Sequence, residues 1–326
     1  MGILVPNVMI VVGMPRSGTT WLAKMLDACP RVLYLHEPDS GSHTRGWPLF
    51  VEKGNIKEET RKLANRFFSE LPWNASPRLF ARPPFFPKTF LPHGGREILY
   101  FLSAIDKLFP SLSNRLVFKY FFTLQGPVHL LIKSVESFGR IPLLADAVEN
   151  LRLIHIVRHP GAVVNSIMKG EKIGRFKDNR SVADSTERLK ALCSLKEAAE
   201  HGLSFTKLMC EHRVARMAWW WLISTEKSIK DCESLAQSKI VIYEELCSKP
   251  LEIIRDVYSW LGLELHDRAI KYIKDMINTH SKRYYSVYRN PHKVAKAWKK
   301  EMDRESIRMV EQVLTSSWLA ELWNSV

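Results

Sequence analysis

The sequence predicts an α/β fold: a central parallel sheet flanked by helices, in a single domain spanning residues 1–326. Three observations carry this. Short apolar runs alternate with segments of helical period, the pattern of strands buried on both faces beneath covering helices. The first of these runs breaks at a glycine-bounded turn and passes straight into a helix. No internal repeat and no low-complexity linker divides the chain.

Taken in order, residues 8–12 read as a buried strand and 19–28 as a helix. "RVLYLHEP" at 31–38 alternates in polarity and reads as a second strand that ends in an acidic loop. An irregular, partly helical insertion near residues 39–127 follows, rich in proline and aromatic residues, with "NIKEETRKLANRFFSEL" as its clearest helix. Further strands are expected at 128–134, 151–160 and 239–246. Helices are expected at 140–150, 161–170, across most of 186–231, and at 250–261. Pro160 suits the start of the helix expected at 161–170.

With 326 residues, 46% of them hydrophobic, the chain can bury one large core. Its net charge of +14 predicts anionic partners, such as a polyphosphorylated nucleotide, an acidic glycan or an acidic membrane. Nucleic acid is not expected, because the sequence has neither a Lys/Arg block nor zinc-finger spacing. The five cysteines include no CxxC pair, which argues against a disulfide framework and a zinc site. A reducing, cytoplasmic location and no metal are therefore expected. The apolar start "MGILVPNVMIVVG" is too short to span a bilayer, and no transmembrane segment is expected elsewhere. Pro6 stands where an N-myristoylation signal would carry Ser or Thr. Composition leaves the oligomeric state open.

The stretch "VMIVVGMPRSGTTWL" (8–22) carries the most chemistry. Gly13 and Gly18 bracket four residues, the GxxxxG half of a P-loop, so the domain is expected to be P-loop-like. Thr19-Thr20 replaces the usual Lys-Ser/Thr. The backbone N–H groups from Ser17 to Trp21 are expected at the positive end of the following helix. Arg16 restores a positive charge and can grip two anionic oxygens at once. The missing lysine normally reaches β- and γ-phosphates, so its loss points to a nucleotide without a γ-phosphate. No later strand ends in the aspartate that would hold Mg²⁺.

"IHIVRHPGAVVNS" supplies a second anion site: Arg158 at a strand end, and Ser166 eight residues later on the next helix. Both are expected at the carboxyl edge of the sheet, where α/β folds bind ligands. Two such sites predict a ligand with phosphates at two separated places.

Together these segments resemble the sulfotransferases that use 3′-phosphoadenosine 5′-phosphosulfate (PAPS). "PRSGTTWL" is similar to their 5′-phosphosulfate loop, and "RHPGAVVNS" to their 3′-phosphate motif. "YSVYRNPHKVAKAW" (285–298) resembles their final basic loop, in the style of the carbohydrate branch, and "VIYEEL" resembles a common family strand. The resemblance implies PAPS as donor and no metal. It implies cofactor contacts from Arg16, Ser17, Gly18, Thr19, Thr20, Trp21, Arg158, Ser166, Tyr285, Arg289, Asn290 and Lys293, with Trp21 against the adenine.

Sulfuryl transfer is an in-line displacement in which positioning and charge stabilisation dominate. Arg16 and the N–H groups of Gly18 to Thr20 are expected to cradle the leaving phosphate. The cytosolic branch places its catalytic His two residues after a strand-end Lys; here Lys133 matches the Lys, but Val135 stands in place of the His. Glycan-type and many bacterial relatives use a Glu after the second strand, which implies Glu37 as general base. His36 is a second candidate, expected to face the opposite way on the strand end. Lys133 is expected to approach the sulfuryl group. A carboxylate such as Glu37, at a strand end beside a cleft, is expected to carry chemistry and not the core.

Residues 39–97 are expected to wall the acceptor cleft, through Arg45, Arg78, Arg82, Arg96, Trp47, Trp73, Phe85 and Phe86. The expected reaction is sulfation of an acceptor hydroxyl or amine, on a carbohydrate first and on a lipid, polyketide or other small alcohol second. A P-loop kinase or ATPase, and a non-catalytic nucleotide-binding module, are the alternatives from other classes. Thr19 and the missing Mg²⁺ carboxylate weigh against the first, and the base candidate Glu37 against the second.

Overall fold

The computed structural model describes residues 7–40, 44, 46–74, 77–80, 82–91, 128–174, 182–278 and 290–323, with a few further positions between 94 and 104. Five strands form one parallel sheet: β1 (Val8–Val12), β2 (Val32–His36), β3 (His129–Ser134), β4 (Arg152–Val157) and β5 (Ser238–Ile242), in the order β2-β3-β1-β4-β5. The register pairs Val11 with Lys133, Val12 with His155, and His36 with Lys133. The ends of β2, β3, β1 and β4 therefore open along one edge.

Helices cover both faces because the strand residues alternate between two cores. Ile10, Val12, Leu33, Leu35, Leu130 and Ile132 join one core. Met9, Val11, Val32, Tyr34, Leu131 and Ile154 join the other. On the first face lie α3 (Ile141–Ala147), α4 (Pro160–Lys172), the long α5 (Arg213–Glu233) and α10 (Arg304–Leu314). Trp220 and Trp221 of the "WWW" run are buried there, under β4 and α4. On the second face lie α1 (Thr19–Asp27), α7 (Pro250–Leu261) and α8 (Asp267–Asn278). Three short helices between α4 and α5 (Thr186–Cys193, Lys196–Glu200, Phe205–Cys210) match the helical reading of that stretch.

Two boundaries differ from the sequence reading. The strand expected at 239–246 ends at Ile242, and Tyr243–Ser248 forms a short helix, α6. Tyr243 and Glu244 thus sit at a helix start and turn into the protein: both are buried. The helices α8, α9 (Pro291–Lys296) and α10 lie beyond the last element read from sequence. Within the insertion, α2 (Glu58–Asn74) packs Ala64 with Trp47, Val51 and Leu143.

No described helix is long and apolar enough to cross a membrane. All five cysteines are free. No group of acidic, His or Cys side chains among the described residues could hold a metal.

A buried charge cluster fixes the insertion to α1. Lys24 Nζ lies 2.7 Å from Asp27 Oδ2 and donates to the Pro84 carbonyl at 3.2 Å. Lys88 Nζ lies 2.7 Å from Asp27 Oδ1. Burial pushes the Asp27 carboxyl up, but Lys24 and Lys88 outweigh it and hold the group below its ordinary value. Removing one partner of such a buried network leaves uncompensated charge. Asp27→Asn is expected to cost about 3–5 kcal/mol of stability, measured by urea denaturation at pH 7. A loss within a few tenths would show that the cluster does not hold residues 82–91 in place.

Candidate active site

The turn from β1 to α1 has the shape expected of an anion cradle. Ser17 N–H donates to Met14 O at 3.1 Å, and Trp21 N–H to Gly18 O at 3.0 Å. The N–H groups of Gly18, Thr19 and Thr20 meet no acceptor among the described residues and stand at the positive end of α1. Arg16 takes a left-handed backbone (φ 75°), as does Gly18 (φ 96°). At Gly18 a side chain is excluded twice: by that backbone, and because a Cβ would collide with the Tyr243 ring. The Ser17 hydroxyl is turned inward and donates to Met14 O at 2.6 Å. Thr19 is buried. Trp21 packs in the core, its indole N–H 3.0 Å from Met276 Sδ and its ring edge-on to Tyr243.

The second anion motif is joined to the first. Arg16 Nε donates to Ser166 Oγ at 2.8 Å. Arg158, 8% exposed, donates from Nη1 to Arg16 O at 2.9 Å and from Nη2 to Val294 O at 3.3 Å. Its guanidinium lies 4.5 Å over the Tyr243 ring. The Arg158 Nε–H is buried and meets no acceptor among the described residues. Arg158 O accepts from the Trp221 indole at 3.1 Å, so the tryptophan run of α5 supports the motif from below.

The C-terminal segment closes the far side. His159 stacks on Trp298 with centroids 4.5 Å apart and an interplanar angle of 19°. A Cβ on Gly161 would lie 2.6 Å from that indole, so only glycine admits Trp298 here. Glu244 accepts from His159 N at 3.2 Å and from the Trp323 indole at 3.0 Å. Asn290 caps α9 by accepting from Lys293 N at 3.2 Å, and the Lys293 side chain is exposed. Tyr285 and Arg289 lie outside the described residues.

On the other side of β1, Glu37 leaves β2 in a left-handed conformation (φ 52°), and its N–H donates to Lys133 O at 2.8 Å. Its carboxylate pairs with Lys133 Nζ. Burial pulls the Lys133 ammonium below its usual value, and Glu37 opposes this. His36 does not face away from Glu37 as the strand alternation predicts: its Nε2 lies 3.9 Å from Glu37 Oε1. The reason is the turn at Glu37, which ends the strand geometry on which alternation depends. Tyr34 O–H lies 2.6 Å from His36 Nδ1.

Behind this pair sits a polar knot that sequence reasoning missed. Asp39 is buried and accepts from Ser134 Oγ and Ser137 Oγ, each at 2.5 Å. Ser40 Oγ donates to Glu37 O at 2.9 Å. The turns after β2 and β3 are thereby tied together. Only the acidic loop signal in "HEPDS" pointed there, since the partners of Asp39 are about a hundred residues away in sequence.

Of the proposed acceptor wall, Trp47 packs against Phe67 (centroids 5.4 Å apart), and Phe86 packs against Tyr272 (5.0 Å). Arg82 is exposed, and its charge acts on His36 and Lys133. Arg45 and Arg96, and the side chains of Trp73 and Arg78, lie outside the described residues.

The family model for the sulfotransferase family matches residues 7–267, from β1 through the start of α8. The chain belongs to the sulfotransferase family. With the family comes the enzyme class, a sulfotransferase, and PAPS as the donor that the family implies. Carbohydrate sulfotransferase 6 of Homo sapiens is 24% identical over 91% of this chain and 76% of its own length. Carbohydrate sulfotransferase 2 of Homo sapiens is 26% identical over 56% of this chain, a match that spans 37% of that relative. Among solved structures, mouse sulfotransferase SULT7A1 complexed with PAP is 13% identical, covering 95% of this chain and 84% of its own, with a TM-score of 0.43.

Three buried histidines give this sulfotransferase a pH signature. Burial holds His36 down to about 2, helped by the charges of Lys133, Arg82 and Lys24. Burial holds His155 down to about 4 and, with Lys299 and Arg158, His159 down to about 3. His159 Nδ1 accepts from Gly161 N at 3.1 Å, a bond that needs the unprotonated nitrogen. The unfolded chain binds these protons near pH 6.5 and the folded chain does not, so their contribution is complete above pH 6.5 and is lost as pH falls. Each histidine costs about 1.4 kcal/mol per pH unit below 6.5. Urea midpoints are expected to drop between pH 7.5 and 5.5, with a shallower drop in His155→Gln. Equal slopes for the two proteins would exclude His155 as a contributor.

Proposed function

We propose that the chain, acting as one domain, transfers the sulfuryl group of PAPS to a hydroxyl of a carbohydrate, with Glu37 as general base. The observation that carries this is the meeting of Glu37 and Lys133 one strand away from the phosphate loop: β1 ends in the loop, and its Val11 pairs with Lys133. The names of the carbohydrate sulfotransferase relatives support the acceptor class. The free cysteines accord with a reducing, cytoplasmic setting.

The residues present suit PAPS. The outward N–H groups of Gly18 to Thr20 and the Arg16 guanidinium would hold the 5′ end. Arg158 has a buried Nε–H without an acceptor among the described residues, and with Ser166 it would hold the 3′-phosphate. Asn290 and Lys293 sit on α9, next to the Val294 carbonyl that Arg158 grips. Trp21 would border the adenine from within the core. Bound PAPS supplies the sulfuryl group and a bisphosphate leaving group. Lys133 places an ammonium where negative charge on the transferring group must be met. Glu37 takes the acceptor proton. His36 stays neutral, held by Tyr34, and is a spacer beside the carboxylate.

The nucleotide reading has a direct test. 3′-Phosphoadenosine 5′-phosphate is expected to raise the melting temperature, and ATP with Mg²⁺ far less, because only a ligand of the native state stabilises it. Equal shifts would favour a kinase.

Glu37→Gln tests the base. Turnover is expected to fall about 10²–10⁴-fold, while the dissociation constant for 3′-phosphoadenosine 5′-phosphate changes only a few-fold. The melting temperature is expected to fall as well, since the substitution strips buried Lys133 of its counter-charge. In this respect Glu37 does carry part of the fold. Near-normal turnover at a temperature where the variant is folded would remove Glu37 from the mechanism.

A further inference from the structure

Val157 of β4 pairs with Ile242 of β5, so the next residue on each strand, Arg158 and Tyr243, leave the sheet side by side. Tyr243 opens α6 and turns inward, 7% exposed. Its ring meets both anion motifs. The Arg158 guanidinium lies 4.5 Å over its centroid. Its edge fills the space beside Gly18, where any Cβ would collide with it. The Trp21 indole packs edge-on to it, with centroids 5.8 Å apart and an interplanar angle of 71°. One side chain, 225 residues from Gly18 and 85 from Arg158, thus stands between the phosphate loop and the Arg158 motif.

The choice of an aromatic ring at this place has a chemical consequence. A buried guanidinium is costly unless its faces and N–H groups find partners. Arg158 donates to the carbonyls of Arg16 and Val294, and no carboxylate among the described residues forms an ion pair with it. The ring covers one face of the cation without cancelling its charge. A carboxylate in the same place would hold the guanidinium as firmly, but would compete with an arriving phosphate. The phenol is hydrogen-bonded to Cys247, one turn further along α6, and burial pushes its ionisation well up, so the ring stays neutral. The Arg158 Nε–H, buried and without an acceptor among the described residues, is left for a ligand.

We infer that Tyr243 is a positioning residue for the nucleotide: its ring fixes Arg158 against the phosphate loop, so that the two phosphates of one bisphosphate are gripped together. A ligand that spans two sites gains from the second only when the spacing between them is set in advance. A nucleotide with a single phosphate engages one motif and gains nothing from the spacing. Tyr243 therefore acts on the preference for a bisphosphate over a monophosphate, through Arg158 and Gly18, and touches neither phosphate itself.

The inference rests on the nucleotide reading of the site, and the test separates the two. Dissociation constants for 3′-phosphoadenosine 5′-phosphate and for adenosine 5′-phosphate would be measured by calorimetry, and their ratio compared between proteins. Tyr243→Phe keeps the ring, and its ratio is expected to stay within about twofold of the parent. In Tyr243→Leu the ratio is expected to shrink about tenfold or more, the effect of losing a desolvated cation–π contact. A second series keeps the shape: Tyr243→Phe with one, two and three fluorines on that ring, which draw charge from its face. The ratio is expected to fall stepwise along it, with the melting temperature and the affinity for adenosine 5′-phosphate nearly constant. A flat ratio across the fluorinated series would overturn the inference, whether or not the leucine variant folds, and would reduce Tyr243 to packing. A parent protein that binds the bisphosphate no better than the monophosphate would overturn the nucleotide reading itself, and the inference with it.

Discussion

The arrangement of this edge of the sheet depends on one guanidinium. Arg158 bridges the carbonyl of Arg16 in the first loop and that of Val294 in the last, and stacks on Tyr243, whose ring lies against Gly18. Three loops that share no local sequence are thus held by one planar, permanently charged fork, a geometry that lysine cannot supply. Arg16 is fixed in turn by Ser166. Both arginines thus belong to one edge of the sheet, in a chain with a net charge of +14, and the same contacts that order the loops bias this edge toward anions.

The sheet order explains why the base candidate and the anion motifs meet. With β1 flanked by β3 and β4, its loop has Lys133 on one side and Arg158 on the other. A parallel sheet buried on both faces places every strand end at the same edge, so chemistry can be assembled only there. Glu37 reaches it because the chain turns left-handed at the end of β2, and the Asp39 knot keeps that turn in register with the turn after β3. The backbone strain at Arg16 and Glu37, both non-glycine residues at positive φ, falls on the two turns that carry the site.

What could be read from the sequence was whatever is encoded locally. The apolar strands, the glycine turn and the Arg158–Ser166 spacing all lie within windows of about a dozen residues, and the β1, β3 and β4 readings fall within a residue or three of the strands found. What could not be read depends on contacts across the chain. Tyr243 looks like the end of a strand, yet it starts a helix because its ring is needed under Gly18 and Arg158. Trp323, Glu244 and His159 form one latch from three regions. His36 and Glu37 were separated by a periodicity rule that stops applying where the strand stops. The Asp39 knot had no local signature at all, because a buried carboxylate is recognisable only by its partners.

The missing lysine of the phosphate loop has a packing explanation as well as a chemical one. Thr19, which occupies the lysine position, is 3% exposed at the start of α1. A lysine there would have to bury its ammonium or rebuild the turn, at a cost of several kcal/mol. The ammonium at this edge of the sheet comes instead from β3, where Lys133 is also desolvated but has Glu37 to offset the burial. A lysine in the loop would reach along a chain of phosphates. One on the neighbouring strand sits beside the loop, together with a carboxylate. Under the proposed function, the threonine of the loop and the Lys133–Glu37 pair beside the neighbouring strand are parts of one solution, in which positive charge stands beside the loop and not along a chain of phosphates.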